Sequence, residues 1–196
     1  FQDVAAFLYS TGKPGFFVEV GTGDGESLSN TFMLEKNFGW EGILFEPDKR
    51  FHQSINTKRT ALLETRPAYS IDGSIAKFLE SSRSGELSTI EQFKTEDGRI
   101  RRGKVRKLKT VTLNTALVEA RAPNHIDYIS IDTEGSEFEV LAGLDLNRWQ
   151  IRFLTIEHNY VPGKKEELKR ILAPYGFRAV LEEFSGMDIW LVNSNL

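Results

Sequence analysis

Phe16-Phe17-Val18-Glu19-Val20-Gly21-Thr22-Gly23-Asp24-Gly25-Glu26-Ser27-Leu28-Ser29-Asn30 is an apolar run that breaks into glycines at alternate positions. The run predicts a buried strand over Phe16 to Val20, and the glycines predict a sharp turn opening a helix over Ser27 to Asn37. Glycines let a backbone turn tightly and approach a ligand with no Cβ in the way, which is the layout of a nucleotide-cofactor site. The charges then separate the cofactor classes. A phosphate-cradling loop needs Gly-Lys-Ser/Thr, whereas Gly25 is followed by Glu26. A dinucleotide fingerprint is spaced G-x-G-x-x-G and puts a pyrophosphate on a helix N-terminus. Here the spacing is G-x-G-x-G, and Glu19, Asp24 and Glu26 would repel a diphosphate. They suit a cation, and S-adenosylmethionine presents two: a sulfonium and an α-amino group. The competing structural reading is that Asp24 and Glu26 complement a helix dipole while the glycines serve only the turn.

The next strand, Ile43 to Glu46, ends on an acid placed to accept hydrogen bonds from both ribose hydroxyls of an adenosine cofactor. An NAD enzyme would use the same acid, so Glu46 supports adenosine binding without choosing the cofactor. The structural alternative is an ordinary strand-end carboxylate ahead of Asp48 as the cap of a helix over Asp48 to Lys58.

Composition agrees with one α/β domain spanning residues 1–196. The chain is 40% hydrophobic with a net charge of −3, so it has a core-forming content and no global basic field of the kind that binds nucleic acid. It has no cysteine, which excludes disulfides, thiolate catalysis and cysteine-bound zinc. No apolar run approaches a membrane span and no secretory signal is visible, so a cytoplasmic location is expected. The chain begins at Phe1 rather than Met, which leaves room for an upstream segment.

Further along, the pattern predicts a helix over Asp3 to Tyr9, a third strand over Leu62 to Ser70, an Asp72-Gly73 turn and a short extended piece over Ile75 to Leu79. From Ser81 to Arg106 the periodicity fades, and the segment's second half is basic: Lys94, Arg99, Arg101, Arg102, Lys104 and Arg106. Residues 81–106 are expected to form a mobile loop, either a solvated connection or a lid that recruits an anionic substrate. Thr112 is an expected cap for a helix to Ala120. Ile126 to Asp132 reads as a buried strand, followed by a turn and a helix with Ser136 and Glu139 as a capping box. Phe153 to Glu157 is the fifth strand, Lys164 to Leu172 the last helix, and Phe177 to Leu181 with Ile189 to Val192 a closing hairpin. Alternating strands and helices imply a mostly parallel sheet covered on both faces.

Four blocks carry a family likeness: FFVEVGTGDGESLSNT (16–31), GWEGILFEPD (39–48), GELSTI (85–90), and IDYISIDTEGSEFEVLAG (126–143) with IEHN (156–159) behind it. In this order the chain resembles the FkbM-type, S-adenosylmethionine-dependent O-methyltransferases. The resemblance implies a Rossmann-like seven-stranded sheet of order 3-2-1-4-5-7-6 with strand seven antiparallel. It also implies cofactor contacts from Glu19, Gly21, Gly23, Glu46 and, on the adenine side, Asp72; Thr22 and Asp24 of the glycine turn and Asp132 are further expected contacts. The acceptor is expected to be a hydroxyl of a sugar or secondary metabolite.

Ligands bind outside the carboxyl ends of an open parallel sheet. Asp132 and the run Glu157-His158-Asn159 end neighbouring strands there, so Asp132, Glu157 and His158 are the expected catalytic residues. His158 is a candidate general base, or the three side chains are an oxygen-rich site for Mg²⁺. The bland reading gives each a local hydrogen-bonding role, as for His52 and His125. An NAD-dependent oxidoreductase and a cofactor-binding module without turnover remain the alternatives.

Overall fold

The computed structural model describes residues 1–10 and 13–196. The strand β1 (Phe16–Val20) follows α1 (Gln2–Tyr9), and α2 (Phe32–Phe38) leads to β2 (Glu41–Phe45). Then come α3 (Lys49–Lys58), β3 (Leu62–Glu64), β4 (Ile75–Ser81), β5 (Thr89–Ile90), β6 (Gly103–Lys109) and α4 (Leu113–Glu119). The chain closes with β7 (His125–Ile131), α5 (Glu137–Ala142), β8 (Gln150–Glu157), α6 (Lys164–Leu172), β9 (Phe177–Ala179) and β10 (Asp188–Asn193).

Among the described residues the main sheet has seven strands in the order β3-β2-β1-β7-β8-β10-β9. Numbered within that sheet alone, this is the expected 3-2-1-4-5-7-6, with β10 antiparallel to β8. Side chains alternate across β1, so Val18 and Val20 join one core with Leu113, Leu117, Val140 and Leu168 from α4, α5 and α6. Phe17 joins the other with Ala5, Leu34 and Ile55 from α1, α2 and α3. Strands buried on both faces are why the sequence reads as continuous apolar runs.

Three expectations need correcting. The helix after the glycine turn begins at Phe32, not Ser27. Asp24 accepts hydrogen bonds from the Glu26 and Ser27 amides, and Glu19 captures Ser29, the Asn30 amide and Thr31, so residues 21–31 form a loop held by side chains. The third strand is short, and the chain beyond it makes an isolated parallel bridge from Ala68 to Val111, just ahead of α4, instead of continuing the sheet. The stretch 81–106 is also far from structureless. β4, β5 and β6 make a separate antiparallel sheet in the order β5-β4-β6, with β6 paired to β4 from Ile75↔Lys109 to Ser81↔Gly103. This leaves an excursion over residues 82–102, partly 3₁₀-helical, that carries β5. None of the helices described is long and apolar enough to cross a membrane.

Candidate active site

The carboxyl ends of β1, β2 and β7 are tied together by backbone hydrogen bonds. The Gly21 and Thr22 amides donate to the Phe45 carbonyl at 3.1 and 3.3 Å, and the Asp132 amide donates to the Val20 carbonyl at 2.9 Å. Gly21 has φ +92°, and a Cβ there would lie 1.7 Å from the Asp132 carbonyl oxygen, so only glycine lets the two strand ends meet.

Above this junction lies a cleft that opens to solvent at its mouth. Its floor is Gly21, Thr22, Gly23 and Asp24, with Glu46 at the end of β2 and Asp132 at the end of β7. Its apolar lining comes from Phe45, Pro47, Pro67, Ala68, Phe78 and Ile90. Gly85, Glu86, Ser88 and Thr89 add a wall from the small sheet. The sequence reading missed Pro67, Ala68, Phe78 and that wall as site residues, although GELSTI had been singled out as a block of the likeness.

Glu46 is buried, and its two oxygens accept from the Gly23 amide and the Asp48 amide, both at 2.8 Å. Burial pushes its carboxyl up to about 8, against the pull of those two amides. Asp24 is different: burial raises it, but the Ser27 and Glu26 amides outweigh that and hold it well below the carboxylate range.

Two expected cofactor contacts are not in the cleft lining. Glu19 lies on the α2/α3 face of β1, 1% exposed, where it accepts from the Asn30 amide at 2.6 Å and the Thr31 hydroxyl at 2.5 Å, with Arg59 3.8 Å away. It shapes the glycine loop from beneath. Asp72 accepts from the Thr112 amide at 2.7 Å and the Thr115 hydroxyl at 2.7 Å, which makes it an anchor of the α4 N-terminus.

The expected catalytic trio is only partly assembled. Oxygens of Asp132, Glu157 and Glu134, one from each, lie within 4.8 Å of one another, and Glu134 stands where His158 was expected. Burial first, and Glu134 next, raises Asp132; burial and then Asp132 raise Glu157. A half-buried and a buried carboxyl this close resist ionising together. The Glu157 Oε2 is buried without a hydrogen-bond partner. Glu134, in a left-handed conformation at φ 58°, is bound by Arg101 and, at 3.2 Å, by Arg99, whose other arm reaches Asn159 at 3.2 Å.

His158 is placed elsewhere. Its Nδ1 accepts from the Tyr160 amide at 3.1 Å, which assigns the neutral ring its proton on Nε2, and that N–H is buried with no partner. Burial and the nearby Lys165 lower its pKa. A ring whose basic nitrogen already holds a backbone N–H has no free lone pair for an acceptor proton. The helix after the turn is also capped otherwise than expected: Ser136 makes no side-chain cap, and Glu137 accepts from the Thr133 and Gly135 amides at 3.1 and 2.9 Å while Lys164 holds its other oxygen at 2.5 Å.

The sequence model of a family described as "Methyltransferase FkbM domain" matches residues 19–191. No curated protein matches significantly. Among solved structures, the chain is similar to a methyltransferase FkbM from Methylobacillus flagellatus KT, at 15% identity and a TM-score of 0.50, over 91% of this chain and 43% of that one. It is also similar to a precorrin-6y C5,15-methyltransferase from Geobacter metallireducens GS-15, at 6% identity and a TM-score of 0.50, over 97% of this chain and 83% of that one. At these identities the likeness is one of fold, and the chain spans less than half of the first relative.

Proposed function

Because the chain belongs to the FkbM methyltransferase family, we propose that it transfers a methyl group from S-adenosylmethionine to a hydroxyl of a sugar or secondary-metabolite acceptor. The observation that carries this reading is the cleft itself, whose lining combines the apolar Phe45, Pro47, Ala68, Phe78 and Ile90 with the carboxyls of Asp24, Glu46 and Asp132. Such a lining fits a cofactor that joins an apolar base, a ribose and a cationic methionine end. In this reading Pro47, Ala68, Phe78 and Ile90 enclose the base, Glu46 accepts from the ribose hydroxyls, and Asp24 and Asp132 face the cationic end. Bound there, the cofactor supplies an electrophilic methyl group.

The chain's own tasks are alignment and proton removal. The Gly21–Asp132 junction fixes the distance between the cofactor floor and the acidic pair. Asp132 and Glu157 together keep one carboxylate able to take the acceptor's hydroxyl proton, and Arg101 and Arg99 hold Glu134 away from that duty by pairing with it. The excursion over residues 82–102, tied to Glu134 through Arg99 and Arg101, is the segment proposed to open and close over the acceptor.

A second reading is favoured by the same cluster: a divalent cation such as Mg²⁺ on Asp132 and Glu157. Their oxygen donors suit a hard ion, whereas Glu134 already serves two guanidiniums and His158 lies outside the group. Labelled-methyl transfer to a panel of hydroxylated acceptors, run with and without EDTA, tests both. Turnover that survives EDTA and falls by about 10²-fold or more in Asp132→Asn supports the carboxyl base. Turnover abolished by EDTA and restored by Mg²⁺ supports the metal, and labelling of nitrogen or carbon rather than oxygen would sink the hydroxyl assignment.

A further inference from the structure

Behind the wall of the cleft lies a second groove, lined by Ser81, Ser82, Arg83, Leu87, Arg99, Ile100, Arg101 and Arg102. Four of those residues carry guanidiniums, and the carboxylates paired with them are Asp97 and Glu134, which leaves a surplus of two positive charges. Arg83 and Arg102 are exposed and have no ion-pair partner among the described residues. Arg101 is only 5% exposed, and its Nε–H is buried without a hydrogen-bond partner. A buried, unpartnered donor on a charged side chain is costly unless something meets it. What meets a cluster of guanidinium forks best is an oxyanion, because planar N–H pairs match its geometry.

Resting on the methyl-transfer reading above, we propose that this groove binds a phosphate monoester carried by the acceptor, so that the substrate is a phosphorylated hydroxyl compound. The charge surplus matches the near-dianionic state of such a group. The position matches as well. Arg101 holds Glu134 of the carboxyl cluster through one arm and lines the groove, so a phosphate there lies about one guanidinium away from the acidic site. The turn Gly85–Leu87 separates the two spaces, with Gly85 and Glu86 on the cleft and Leu87 on the groove.

The test is calorimetric titration of the chain with inorganic phosphate, glycerol phosphate and S-adenosylhomocysteine, in wild type, in Arg83→Gln with Arg102→Gln, and in Lys107→Gln. Lys107 is a basic residue of β6, the strand that follows Arg102, and lies outside the groove. Saturable binding of both phosphates is expected in wild type. It should weaken by about tenfold or more in the double arginine variant, the scale of losing charge-assisted hydrogen bonds, and stay unchanged in Lys107→Gln. Absence of saturable binding, or equal losses in both variants, would overturn the groove as a site. Binding of inorganic phosphate but not of the ester would overturn its assignment to an acceptor. If S-adenosylhomocysteine fails to bind while the phosphates still do, the methyl-transfer reading falls, and the groove stands as an anion site without it.

Discussion

Glu46 illustrates how one side chain couples cofactor affinity to pH. Its carboxyl is buried and shifted up to about 8, so between its ordinary value and that pH the folded chain holds a proton that the unfolded chain has released. A raised carboxyl contributes stability that is present below its unfolded pKa and lost as pH rises through the folded one. The ligand-free chain should therefore lose stability between about pH 4.5 and 8 at this residue, and denaturant titrations across that window check it. Ribose hydroxyls donate to the ionised form, so affinity for S-adenosylhomocysteine should strengthen over the same interval and binding should release protons. Glu46→Ala should weaken it by about 1 to 3 kcal/mol and flatten the pH profile; a folded variant with unchanged affinity removes Glu46 from the site. The place of Glu46 in the cleft was legible because a strand-end acid after a glycine turn sits at the carboxyl edge of the sheet. That Glu19 and Asp72 lie outside the lining was not legible, since a carboxylate that supports a loop from beneath and one that faces a cleft look identical in sequence. His158 was placed on the right strand end, but the Tyr160 amide on its Nδ1 is a feature that no spacing reveals.

At the scale of elements, the loop between β1 and α2 depends on Arg59 at the end of α3. Its fully buried side chain donates to Glu35 at 2.7 Å, the Gly25 carbonyl at 3.0 Å, Ser29 at 2.9 Å and Thr31 at 2.8 Å. Removing one partner of a buried ionic network leaves the others unpaired, so Arg59→Met should cost about 3 to 5 kcal/mol in urea unfolding. Affinity for S-adenosylhomocysteine should fall with it, because the loop forms the cleft floor; a stable variant with intact binding would show that the loop holds itself. The strand β6 escaped the sequence reading for a related reason. It is an edge strand, mostly exposed, whose lysines and arginines hide the alternation that marks a half-buried strand. Hydrogen exchange should find residues 103–109 protected by their pairing with β4 and residues 94–100 exchanging faster. Equal rates in the two stretches would argue against the excursion as a lid.

For the whole molecule, the central strands were legible because each is a short apolar run bounded by turns and helices, while their order in the sheet was implied by the family resemblance. The small sheet was not, since it is inserted between β3 and α4 and carries its information in cross-strand pairing rather than in local pattern. That insertion decides how the cleft responds to its ligand. The lining comes from the glycine loop, the end of β2, the segment at Pro67 and Ala68, the small sheet at Phe78 and Ile90, and the β7 turn. A cofactor seated there touches both sheets, so its binding energy should appear as stability of the entire fold rather than of one loop. At a ligand concentration of about 100 times Kd, linkage gives about 2.7 kcal/mol, which for a chain of this size raises the melting temperature by about 5 to 10 °C. S-adenosylhomocysteine should produce that shift in differential scanning fluorimetry. NAD should produce none, because Asp24 and Asp132 line the space where its diphosphate would lie. A shift with NAD and none with S-adenosylhomocysteine would transfer the site to a dinucleotide, and with it the meaning of every acidic residue around the glycine turn.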